Sequence, residues 1–113
     1  YPVHNPAQPD GLGPSSSSNG CGFFYGPGLP ADLFGNIFIA RYTRSIRDQN
    51  NPATTLNYAD VVAVDVTTGL TKRVATGFQN PLAVLWDGAK RLFVADYSTG
   101  SGKPGAIYAI TVK

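Results

Sequence analysis

Hydrophobic positions in the second half of the chain fall into three short runs, Leu82 to Trp86, Arg91 to Tyr97 and Ala106 to Val112. They are parted first by Asp87-Gly88 and then by Ser98 to Gly105, with its glycines and Pro104. Runs of this length, rich in Val, Ile, Phe and Tyr and bounded by turn residues, predict an antiparallel meander. Successive side chains along a strand alternate sides, which puts Leu92 and Val94 on one face and Phe93, Ala95 and Tyr97 on the other. Both faces are apolar, whereas a sheet with one wet face alternates apolar with polar. Such a sheet needs cover on two sides, as similar sheets stacked radially in a β-propeller provide.

The first half predicts a unit of the same kind. Gly22 to Tyr25 reads as a short aromatic strand ended by Gly26-Pro27-Gly28, and Leu29 to Phe34 as a connector. Asn36 to Thr43 is a strong strand, Arg44 to Asn57 a long polar loop, and Asp60 to Val66 a strand that turns at Thr67-Thr68-Gly69 into Leu70 to Phe78. NIFIARY at 36–42 matches RLFVADY at 91–97 in apolar character, and VVAVDV at 61–66 matches IYAITV at 107–112. A repeated four-strand unit is the signature of a propeller-like array. The expected fold is all-β: an extended Pro/Ser-rich N-terminal arm over 1–19, a first four-stranded blade over 20–79, and a second blade over 80–113 that lacks its outer strand, about seven strands in all.

An unpaired edge exposes a row of backbone donors and acceptors, so the second blade predicts a partner. The edge it offers carries Ile107, Tyr108, Ile110 and Val112; the candidate donors are the chain's own N-terminal arm, led by Tyr1, Pro2 and Val3, a neighbouring copy, and sequence beyond this chain. Pro-rich extended chain loses little entropy on docking, which suits it to be a strap.

Composition narrows the classes. At 113 residues there is room for about two blades of about 40 to 50 residues each. With 42% hydrophobic and 14% charged residues, 13 Gly and 9 Pro, the chain reads as a folded, turn-rich β protein. A formal charge of +2 is too small, and the nine basic residues too dispersed, to suggest a nucleic-acid surface. No apolar run approaches the roughly 20 residues of a membrane helix. The opening Tyr1-Pro2 and the absence of Met suggest a processed product, and with it an extracellular or periplasmic location. In a secreted chain, Ser15, Ser16, Ser17 and Ser18 are candidates for O-linked glycan.

Candidate chemistry is sparse. His4, the one histidine, lies in a Pro-rich arm that cannot hold a base against a nucleophile unless docked, and with Cys21 alone it cannot make a soft-ligand metal site. Cys21 reads as a small buried hydrophobe. Asp48, Gln49, Asn50 and Asn51 offer oxygen ligands but only one carboxylate, so their loop reads as surface rather than as a calcium site. Arg41 and Asp96 occupy equivalent places in the two repeats, which suggests an ion pair between stacked blades. Trp86, Tyr97, Phe93, Phe38 and Tyr42 read as core aromatics rather than a sugar-stacking platform.

The order GFFYGPGLPADLFGNIFIARY, DVVAVDV, VATGFQNPLAV, WDGAKRLFVADYSTG and GAIYAI, over about Gly20 to Ile110, resembles the C-terminal part of the soluble glucose/sorbosone dehydrogenase family. The resemblance implies a six-bladed propeller that oxidises sugars with pyrroloquinoline quinone. Where that family's strand continues with histidine and glycine, Tyr42 and Thr43 stand here. If three copies closed into a six-bladed ring, Arg41, Arg44 or Arg47 would offer guanidinium groups to the quinone carboxylates at its axis. The expected function is therefore a secreted self-assembling structural module that forms a ring or fibre with other copies of itself. A fragment or oligomeric relative of the quinone-dependent dehydrogenase, and a glycan- or protein-binding module, are the alternatives.

Overall fold

The computed structural model describes residues 18–42, 46–47, 55–56, 59–98 and 102–111. Most of the expected arm, with Tyr1, Pro2 and Val3, lies outside these residues, as do His4, Arg44, the Asp48 to Asn51 stretch and Val112. The strands are β1 (Ser18–Phe23), β2 (Ile37–Arg41), β3 (Ile46–Arg47), β4 (Thr55–Leu56), β5 (Asp60–Val64), β6 (Thr71–Ala75), β7 (Pro81–Trp86), β8 (Arg91–Asp96) and β9 (Ala106–Thr111), with one 3-10 turn at Ala31–Leu33. They form a four-stranded sheet in the order β1-β2-β5-β6, a three-stranded sheet β7-β8-β9 and a ribbon β3-β4. Every pairing is antiparallel. The protein is all-β, and its two main sheets are plain meanders of four and three strands.

Two aspartates close two of the turns with the same device. Asp65 Oδ1 accepts from the backbone N–H groups of Thr67 and Thr68 at 2.8 and 3.2 Å. Asp87 Oδ1 accepts from those of Ala89, Lys90 and Arg91 at 2.8, 2.9 and 3.0 Å. A carboxylate standing in for a backbone acceptor is why Asp marks turns. Gly88 follows at φ +84°, a conformation that other residues rarely adopt.

Register sorts each sheet into two faces. In the first sheet Phe38 pairs with Ala63 and Ala40 with Val61, all four buried, and this face meets Val84, Trp86, Leu92 and Val94 of the second sheet. Leu33 from the 3-10 turn and Phe24, Leu29 and Phe78 from connecting segments close the rim of this core. Phe24 and Phe38 stack at 5.1 Å between ring centroids. The Trp86 indole N–H is buried with no hydrogen-bond acceptor among the described residues.

The repeat seen in the sequence has a directional meaning. β2 and β8 each take second place in their meander, and β5 and β9 each take third. Yet the core-facing residues of β2, Phe38 and Ala40, align with Phe93 and Ala95 of β8, whereas β8 turns Leu92 and Val94 inward. The sheets therefore stack front to back, as blades do. At the seam the bulge of β1 brings Gly20 (φ +21°) so close to β7 that a Cβ there would lie 2.4 Å from the Leu82 carbonyl oxygen and 2.6 Å from Ala83 Cα.

Three expectations are corrected. β1 begins at Ser18, earlier than the strand expected from Gly22, because Ser18, Asn19 and Cys21 pair with Arg41, Ala40 and Ile39 of the strongly apolar β2. The long loop after β2 contains the ribbon, where Ile46 pairs with Leu56 and Arg47 with Thr55. Cys21 is exposed rather than buried, since β1 is an edge strand and Cys21 faces away from the core.

Candidate assembly surface and buried charge cluster

The second sheet covers one of its faces and leaves the other open. Ala83 pairs with Ala95, Leu85 with Phe93, and Ala95 with Ile107 across three strands, so these side chains share the face turned away from the core. Leu85 is 62% exposed and Ile107 75%, and the residues line an almost purely apolar groove of about 440 Å³. Tyr97, 66% exposed, follows at the end of β8. The Arg91 guanidinium lies 5.6 Å from the Phe93 ring centroid. By the repeat alignment, Phe93, Ala95, Ile107 and Ala109 are the counterparts of Phe38, Ala40, Val61 and Ala63. The open face thus has the same make-up as the face with which the first sheet binds the second.

β9 adds an edge. It pairs with β8 on one side and with no strand on the other among the described residues, and Ala106–Thr111 contains neither a charge nor a proline to guard it. The assembly candidates on this strand part company. Ile107 points outward into the groove, whereas Tyr108 turns inward to stack on Phe78 at 5.8 Å and Ile110 packs against the core.

Arg41 and Asp96, expected as partners, are both buried, but each is satisfied within its own sheet. Arg41 Nε and Nη2 donate to Asp60 Oδ1 and Oδ2 at 2.7 and 2.6 Å, across the β2–β5 pairing that sets Arg41 against Asp60. Arg73 Nε adds a third bond to Asp60 Oδ2 at 2.6 Å. Asp96 instead accepts the backbone N–H groups of Gln79 and Asn80 at 2.9 and 2.6 Å and fastens the approach to β7. Only the position of Arg41 on an apolar strand signalled this cluster. Antiparallel neighbours set the end of IFIAR opposite the start of DVVAV, which points to Asp60 rather than Asp96.

Arg41 does not fit the role of a quinone ligand, because its fork is already bidentate on Asp60 and the side chain is 5% exposed. Arg44 lies outside the described residues, and Arg47 is placed only as a strand residue of β3. Of the aromatics weighed as a platform, Phe38 and Trp86 are core, Phe93 and Tyr42 are half-buried and Tyr97 is exposed. Among the described residues no group of three His, Cys, Asp or Glu side chains is placed to hold a metal, and no helix is long and apolar enough to cross a membrane. No family model, no curated protein and no solved structure matches the chain.

Proposed function

We propose that this chain is a self-assembling structural module, exported from the cytoplasm, in which a second copy covers the open face of the β7-β8-β9 sheet and completes its β9 edge. The observation that carries the reading is the groove around Leu85, Phe93, Ala95 and Ile107, built like the face that already joins one sheet to the next within the chain. Apolar patches of this kind mark interaction sites on soluble proteins, and an unguarded edge strand accepts main-chain hydrogen bonds from an added strand. The candidate strand donor is the arm, residues 1–17. Head-to-tail addition gives a ring if the rotation closes and a filament if it does not.

Sedimentation velocity across a concentration series tests this. The wild-type chain is expected to form species larger than a monomer, and the Leu85→Lys, Ile107→Lys double variant to stay monomeric with its fold intact. Deleting residues 1–17 separates the two contributions: loss of assembly assigns the added strand to the arm, and retention assigns the contact to the sheet face alone. A wild-type chain that is monomeric at the highest soluble concentration overturns the proposal.

A further inference from the structure

The charge cluster of the first sheet borders a polar pocket of about 340 Å³ lined by Asp60, Arg73, Thr76, Phe78 and Gln79, among others. It lies apart from the apolar groove, which is lined by residues of β7, β8 and β9. One carboxylate, 2% exposed, faces two guanidinium groups. Arg41 spends its fork on Asp60 and is buried. Arg73 spends only Nε there; its side chain is 53% exposed, and its terminal amino groups bond nothing among the described residues. A planar guanidinium tied at Nε leaves its outer edge as a two-pronged donor, the geometry that matches carboxylate and phosphate oxygens. Gly77, at φ +96°, has nothing within 4 Å of where a Cβ would stand, so the wall beside Arg73 is open.

We propose that this pocket is a binding site for a small oxyanion, the carboxylate or phosphate end of a small organic molecule, with Arg73 as the cation that grips it. Asp60 holds the guanidinium in place. Thr76 and Gln79 supply polar lining and Phe78 an apolar wall. The volume exceeds the roughly 30 Å³ share of one water many times over and falls at the lower end of ligand cavities, about 300 to 1,000 Å³. Space therefore remains for a few carbon atoms behind the charged group.

Backbone amide shifts of the full chain, followed by NMR while inorganic phosphate and, separately, succinate are titrated at constant ionic strength, test the site. Saturable movement of Thr76, Gly77, Phe78 and Gln79 is expected with at least one of the two, and the stronger response identifies the oxyanion. Arg73→Gln should weaken that binding about tenfold or more, the effect of losing a charge-assisted hydrogen bond. Thr76→Glu, at an exposed position that needs no refolding, should do the same by repulsion. Arg91→Gln, on the other sheet, should leave it unchanged. No saturable response to either probe, or equal responses in the wild-type chain and both pocket variants, overturns the site.

Discussion

Asp60 is 2% exposed with three charge-assisted hydrogen bonds on its carboxylate, and its two partners contribute unequally. Arg41 is buried, so removing the anion strands a charge in low dielectric: Asp60→Asn is expected to cost about 3 to 5 kcal/mol in urea unfolding. Arg73 is half in water, where screening leaves a pair worth about 0 to 1 kcal/mol, and Arg73→Gln should lower stability by no more than that. Asp87 makes a different kind of statement. The backbone N–H of Arg91, with those of Ala89 and Lys90 and the Arg91 side chain, holds its carboxyl well below the usual carboxylate range. Because the folded value is depressed, the unfolded chain takes up the proton first on acidification. The stabilisation is thus complete above the ordinary Asp value of about 3.9 and is lost as pH falls below it. In thermal melts, the gap between the wild-type chain and Asp87→Ala should be constant from pH 7 to 5 and narrow below pH 4.

Elements were legible where apolar content was dense and obscure where pairing alone created them. β2, β5, β7, β8 and β9 can be read from runs such as IFIAR and DVVAV; β7 begins one residue before its run, at Pro81, and β8 ends one residue sooner, at Asp96. The start of β1 was hidden because Ser18-Asn19-Gly20 has the composition of a tail; its strand state comes from β2, whose free edge it fills. The β3-β4 ribbon, two residues on each side, is too short to leave a period in the sequence. Even the apolar face of each strand could be assigned from alternation, but not which face would be covered, since that depends on the order in which sheets stack. The seam between the sheets gives a direct test. Gly20 combines a left-handed φ with backbone contact to β7, so Gly20→Val must push β1 away from Leu82 and Ala83. A loss of about 2 to 3 kcal/mol is expected, larger than for the same change at Gly102, where nothing lies within 4 Å.

At the scale of the whole molecule, the two sheets satisfy each other on one side only. The first sheet's far face is partly closed, with Val62 and Val64 at 1% and 2% exposure, while the second sheet leaves Leu85, Tyr97 and Ile107 in water. Because Leu85 and Ile107 contribute little to the isolated fold, lysine at both positions should shift the unfolding midpoint only slightly, within about 0.5 kcal/mol each. The same double variant should abolish any concentration dependence of the melting temperature, which is the mark of stability borrowed from a neighbour.

Trp86 is the chain's single tryptophan, and it lies in the core between the two sheets with its N–H unsatisfied. The protein therefore carries its own optical gauge of that seam. Emission should be blue-shifted in the native chain, hold that colour when copies add at the groove on the other face of the sheet, and turn red only when the two sheets part, so that one fluorescence trace tells association from unfolding.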